Sequence, residues 1–117
     1  MGERMSAPAV QHQFLAAGRW GALTLMEQLG NVGSEVGRAR RWQGEDTALF
    51  EGAFVRSLEL LDLTIRDPRW RGRLKELTRA REVLCDAFGG GPEYASTLED
   101  MERYFYPFAL AARLGRA

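Results

Sequence analysis

The sequence predicts an all-α protein, an antiparallel up-down four-helix bundle that pairs as a homodimer. Three observations carry that expectation. Apolar residues recur at spacings of three and four through four segments, the period of one face of an α-helix. Strong breakers separate the segments: Gln43-Gly44-Glu45-Asp46, Asp67-Pro68 and Gly89-Gly90-Gly91-Pro92. No segment alternates apolar and polar residues with the period of two that a half-buried strand requires.

Residues 1–17 read as an N-terminal appendage, with mixed polarity, Pro8 and no long periodic pattern. The bundle domain is expected over 18–117, and its first long helix from about Gly18 to Trp42. This helix is apolar on two sides. One stripe is Ala22, Leu25, Leu29, Val32, Val36 and Ala39; the next is Leu23, Met26, Gly30, Gly33 and Gly37. Each glycine inside a helix costs about 1 kcal/mol relative to alanine. Three on one stripe therefore imply the close approach of another backbone. That puts Gly30, Gly33 and Gly37 either at a dimer interface or at a close crossing within the chain.

Asp46 or Thr47 caps the second helix. Its apolar face is Phe50, Phe54, Leu58, Leu61 and Ile65, flanked by Leu49, Leu60 and Leu63. Asp67-Pro68 ends it and opens the third, because aspartate caps and proline suits the first helical position. So short a joint implies antiparallel neighbours. The third helix presents Trp70, Leu74, Leu77, Leu84 and Phe88. Ser96-Thr97-Leu98-Glu99 reads as a capping box for the fourth, whose buried face is Leu98, Met101, Phe105, Phe108 and Ala112. Pro107 is expected to kink that helix or tighten its last turns. Two apolar stripes on each of the first two helices exceed what one small bundle buries, which is the argument for a homodimer.

A chain of 117 residues supports one domain with a genuine core. Its 16 basic and 16 acidic side chains balance, so no global field favours a nucleic acid or a membrane surface. A single cysteine, Cys85, excludes an internal disulfide and a cysteine-rich zinc site, and a single histidine, His12, excludes histidine-based metal clusters. No apolar run reaches the ~20 residues of a membrane span. The first residues hold no apolar core followed by a cleavage site. A cytoplasmic location without a membrane partner is the resulting expectation.

Arg81 interrupts the apolar face of the third helix, where an unpaired cation would be costly. An acid is therefore expected to meet it. Glu59 and Asp62 share a line on the second helix; Glu27, Asn31 and Glu35 recur at steps of four on the first. Together with Arg81 they form a candidate internal polar network that fixes helix register. The alternative is a magnesium site on Glu27, Glu35, Glu59 and Asp62, since magnesium takes oxygen ligands from a few carboxylates. Glu59-Leu60-Leu61-Asp62 resembles the Glu-x-x-Asp motif of the MazG-type all-helical nucleotide pyrophosphohydrolases. Their preceding Glu-Glu-x-x-Glu motif is degenerate here: Glu27-Gln28-Leu29-Gly30-Asn31 keeps the first acid and replaces two others with amides.

In an up-down bundle, Arg19, Arg66, Arg69, Arg71, Arg73, Arg113 and Arg116 gather at one end with Trp20 and Trp70. Arg66, Arg69, Arg71, Arg73 and Trp70 form a candidate anion-binding set, combining forked cations with a stacking surface. The Arg-x(4–6)-His motif of HEPN-type nucleases is absent, because no histidine follows His12. The ordered series Trp20, Glu27–Asn31, Ser34-Glu35, Leu58–Ile65, Arg73–Leu77, Arg81–Val83 and Cys85-Asp86 is similar to small uncharacterised bacterial helical proteins. That resemblance spans about Trp20 to Ala112 and carries no activity across. The reading is a non-enzymatic interaction or oligomeric scaffold module, without cofactor, partnered by itself or by another protein. The alternatives are a magnesium-dependent nucleotide pyrophosphohydrolase-like enzyme and a phosphate- or RNA-binding module.

Overall fold

A computed structural model describes residues 18–116, and the proposed appendage lies outside them. Among the described residues the regular structure is all helical. The elements are α1 (Leu25–Trp42), α2 (Thr47–Arg66), a 3-10 segment (Pro68–Arg73), α3 (Leu74–Phe88) and α4 (Leu98–Arg116). The first long helix is shorter than its periodicity suggests. A helical turn at 18–20 is separated from α1 by a bend over 21–24. Thr24 then starts α1 with a capping box: Glu27 N–H donates to Thr24 Oγ1 at 3.1 Å, and Thr24 N–H donates to Glu27 Oε1 at 2.9 Å. These two bonds satisfy donors that a helix start leaves open.

α1 is the central element and packs extensively against both α2 and α4, whereas α3 touches α2 and α4 more sparingly. Leu29, Val32, Val36, Leu61, Leu84 and Phe105 are fully buried between them. Side chains of this size each contribute about 1.5–3 kcal/mol on burial. The buried line of α2 differs from the expected aromatic face. It runs Ala53, Ser57, Leu61, Thr64, mostly small residues that let α1 come close. Phe50 and Phe54 lie to one side, half-buried, with ring centroids 5.4 and 4.0 Å from that of Phe88 on α3.

The glycine stripe is filled from within the chain. A Cβ at Gly30 would lie 2.9 Å from Ala109 Cα, one at Gly33 2.6 Å from Phe105 Cβ, and one at Gly37 2.6 Å from Glu102 Oε2. The three contacts ascend α1 and descend α4, so the two helices run in opposite directions. Of the two placements open to Gly30, Gly33 and Gly37, the crossing within the chain is the one adopted.

The connections depend on local chemistry. Asp46 caps α2 by accepting from Leu49 N–H at 3.0 Å. Asp67 does not open an α-helix directly; it caps the 3-10 segment, and Trp70 at φ −106°, ψ 25° breaks helical geometry before α3 begins. After α3, Gly90 and Gly91 take positive φ, and Asp86 accepts from the N–H groups of Glu93 and Tyr94. The capping box of α4 is Thr97 with Asp100, one residue beyond the expected Ser96–Glu99 pair. Pro107 does not end α4, which continues to Arg116. The ring sits on an exposed part of the helix, where a carbonyl left without its helical donor can be hydrated.

Two alanine substitutions should therefore move stability in opposite directions. Gly33→Ala forces Phe105 aside and should destabilise by about 1–3 kcal/mol. Gly52→Ala adds a methyl where nothing lies within 4 Å on the exposed side of α2. It should stabilise by up to ~1 kcal/mol. Denaturant unfolding of the three proteins checks both signs.

Candidate functional site

The densest polar cluster lies where the start of α1 meets the end of α2 and the 3-10 segment. Gln28 is fully buried there. Its amide N–H groups donate to the Trp20 carbonyl at 2.8 Å and to Asp67 Oδ2 at 3.2 Å, while its Oε1 accepts from the Trp70 indole at 2.9 Å. The Trp20 indole donates to Thr64 Oγ1 at 2.9 Å, and Thr64 donates on to the Leu60 carbonyl at 3.1 Å. Asp67 accepts from Arg69 through the backbone N–H and the guanidinium, the shortest contact being 2.7 Å. Arg69 also donates to the Leu23 carbonyl at 2.7 Å and lies 4.4 Å above the Trp70 ring. Among the described residues no buried side-chain polar atom lacks a partner. The arrangement locks three chain segments together, and its charged members, Asp67 and Arg69, are bonded to each other.

The charges on Asp67 follow from this geometry. The Arg69 guanidinium holds the Asp67 carboxyl at about 2, well below its ordinary 3.8. The Arg69 backbone N–H and the Gln28 amide reinforce that shift, and desolvation opposes it. Arg69 is raised correspondingly, first by its bond to Asp67. Sequence reasoning passed over Gln28 and Asp67 as binding elements. The available signal was Gln28 standing between Leu25, Leu29 and Val32, a neutral polar residue inside an apolar stripe.

The acidic and amide positions singled out from the sequence do not meet as one network. Arg81 Nε donates to Asp62 Oδ1 at 2.7 Å, and its NH2 to Oδ2 at 3.3 Å. Both side chains are more than one-third exposed, so the pair contributes little to stability. Elsewhere, Glu27 caps α1, Asn31 is exposed and donates to the Glu27 carbonyl, Glu35 pairs with Arg38 at 3.2 Å, and Glu59 is exposed. Among the described residues no three His, Cys, Asp or Glu side chains are grouped to hold a metal ion. Glu27, Glu35, Glu59 and Asp62 thus do not fit a magnesium centre. Helical phase separates them: the expected line on α1 is split between a cap, a solvent-facing amide and a local ion pair.

The candidate anion set divides too. Arg69 is bound to Asp67, and Arg73 donates to Glu76 at 2.8 Å. Arg66 and Arg71 are exposed and make no hydrogen bond or ion pair with another described residue. Trp70 is half-buried, with one face covered by Arg69. A shallow depression of about 440 Å³ lies beside them, bordered by Trp20, Leu63, Arg66 and Arg69. Between α3 and α4 runs an open groove of about 430 Å³ over Ala80, Val83 and Met101. Its polar rim is already paired in part, since Tyr104 donates to Glu76 Oε2 at 3.3 Å. Cys85 is half-buried, with an Arg81 N–H 3.8 Å from its sulfur.

One further surface was missed from sequence. On α4, Tyr106, Leu110 and Leu114 recur at steps of four, opposite the buried line Leu98, Met101 and Phe105, and are 55%, 39% and 67% exposed. Comparison with protein-family models, curated proteins and solved structures finds no match to this chain.

The depressed Asp67 carboxyl fixes a pH window. Its stabilising effect is complete above its unfolded value near 4 and is lost as pH falls toward about 2. Asp67→Asn should therefore melt lower than the parent at pH 6, and the gap should close on acidification to pH 2. Thermal melts across that range, followed by tryptophan fluorescence, check the loss and its direction.

Proposed function

We propose that the chain is a non-enzymatic interaction module: an antiparallel up-down four-helix bundle that assembles with itself through the outward face of α4. The observation that carries this reading is the apolar stripe Tyr106, Leu110, Leu114. A helix packed on one side by its own domain ordinarily turns charged and polar residues to water on the other. Contiguous apolar surface marks an interaction site, and these three stand at successive turns of one helix, whereas Leu49, Val55 and Leu74 are exposed at separate positions on α2 and α3. The interior supports the same reading, because its buried polar side chains are absorbed in hydrogen bonds between helices.

The stripe replaces the glycines as the assembly surface. Gly30, Gly33 and Gly37 already hold α4, so they serve the interface by fixing which side of that helix faces outward.

Light scattering coupled to size exclusion tests the proposal. The wild type should elute at a multiple of its 13.2 kDa chain mass. The Leu110→Asp/Leu114→Asp double variant should fall to the single-chain mass with unchanged helical circular dichroism. A monomeric wild type, or a double variant that stays folded and assembled, overturns the proposal.

A further inference from the structure

The groove between α3 and α4 joins an apolar floor to a cation left without a carboxylate among the described residues. Ala80 and Met101 are buried beneath it, and Val83 is half-buried at its side. At about 430 Å³ it lies in the size range of small-molecule sites. Helical phase puts Met101 and Tyr104 on the flank of α4 away from Tyr106, Leu110 and Leu114, so the groove is independent of the assembly stripe. Its rim is unequally satisfied. Glu76 accepts from Arg73 at 2.8 Å and from Tyr104 at 3.3 Å. Asp100 accepts from the Thr97 backbone N–H at 2.9 Å, with Arg103 3.8 Å away. Arg79 makes no hydrogen bond or ion pair with another described residue, and neither does the Ser96 hydroxyl. The Arg79 guanidinium lies over the Tyr94 ring, 5.5 Å from its centroid. Tyr94 is itself anchored, its hydroxyl donating to Glu82 at 3.1 Å and its backbone N–H to Asp86 at 2.9 Å. Ala95, between Tyr94 and Ser96, takes φ 57°, a left-handed conformation unfavourable for a residue with a Cβ. Such strain persists where the surroundings fix it, and here it sets how the loop presents Tyr94 and Ser96.

We propose that this groove binds a small apolar carboxylate, its body on Ala80, Val83 and Met101 and its charge on the Arg79 guanidinium and the Ser96 hydroxyl. A carboxylate matches the fork of a guanidinium, and a ring or short chain covers the floor. The unbranched Met101 side chain adapts to the shape of that body. A phosphate fits less well, because its second charge meets Glu76 and Asp100 on the same rim. An apolar cation faces Arg79, while the rim carboxylates already hold donors of their own.

Naphthoate is the probe, with naphthalenemethanol as its uncharged counterpart, each titrated into the full chain while backbone amide shifts are followed by NMR. The expected result is saturable binding that moves the amides of Ala80, Val83, Ser96 and Met101, tighter for naphthoate than for the alcohol. Arg79→Gln, an exposed substitution, should weaken naphthoate roughly tenfold or more and leave the alcohol unchanged. Lys75→Gln removes a neighbouring cation that does not line the groove and should change neither. Naphthoate that does not saturate, shifts that fall elsewhere, or an alcohol that binds as tightly overturns the proposal. So does Arg79→Gln binding like the wild type. Equal losses in Arg79→Gln and Lys75→Gln overturn it too, because they report a general field and not a site.

Discussion

The close approach of α1 and α4 is the constraint on which the rest of the structure depends. At Gly30 the separation leaves no room for a Cβ beside Ala109, and at Gly33 the vacant position is filled by the Phe105 side chain. Phe105 is thereby fully buried, which fixes the rotation of α4 about its own axis. Once Leu98, Met101 and Phe105 face inward, the 100° step of the helix turns Tyr106, Leu110 and Leu114 outward. The outward stripe is thus a consequence of the glycines. A side chain at Gly33 would alter the crossing and, through it, which residues α4 offers to solvent.

The other end of α1 is held by different physics. Three segments converge there around an amide, and an amide can both donate and accept. Gln28 uses both capacities, donating to Trp20 and Asp67 and accepting from Trp70. A carboxylate in its place would accept only, leaving the Trp20 carbonyl without that donor and setting a second negative charge beside Asp67. Breaking one bond of such a cluster exposes the others to an unmet buried group, a cost larger than the bond itself. The joint therefore transmits the position of α1 to the 3-10 segment and α3, an element with few other long-range contacts.

The helices and their breaks were legible in the sequence because periodicity and capping are local. Asp46 capping α2 and the glycine-proline break after α3 needed no knowledge of neighbours. The start of α1 was equally local: Thr24-Leu25-Met26-Glu27 is a capping box, and the longer apolar period running through it obscured the stop. The buried line of α2 was not local. Phe50, Phe54 and Leu58 are more apolar than Ala53, Ser57 and Thr64, yet the smaller residues face α1, because packing rewards fit as well as apolar area. The polar network failed for a related reason. Spacing along one helix shows which residues share a face; the acid that meets Arg81 depends on the rotation of two helices at once. Asp62 satisfies that condition, and Glu59, one turn earlier, does not.

Counting arginines by position also overstates the field they offer to a ligand. Of the candidate set Arg66, Arg69, Arg71 and Arg73, the structure neutralises Arg69 with Asp67 and Arg73 with Glu76. The Arg69 guanidinium is held in place over Trp70, so the cation and the ring that sequence offered as two contacts for a nucleotide are occupied with each other. Arg66 and Arg71 remain, a weak claim on a phosphate in water.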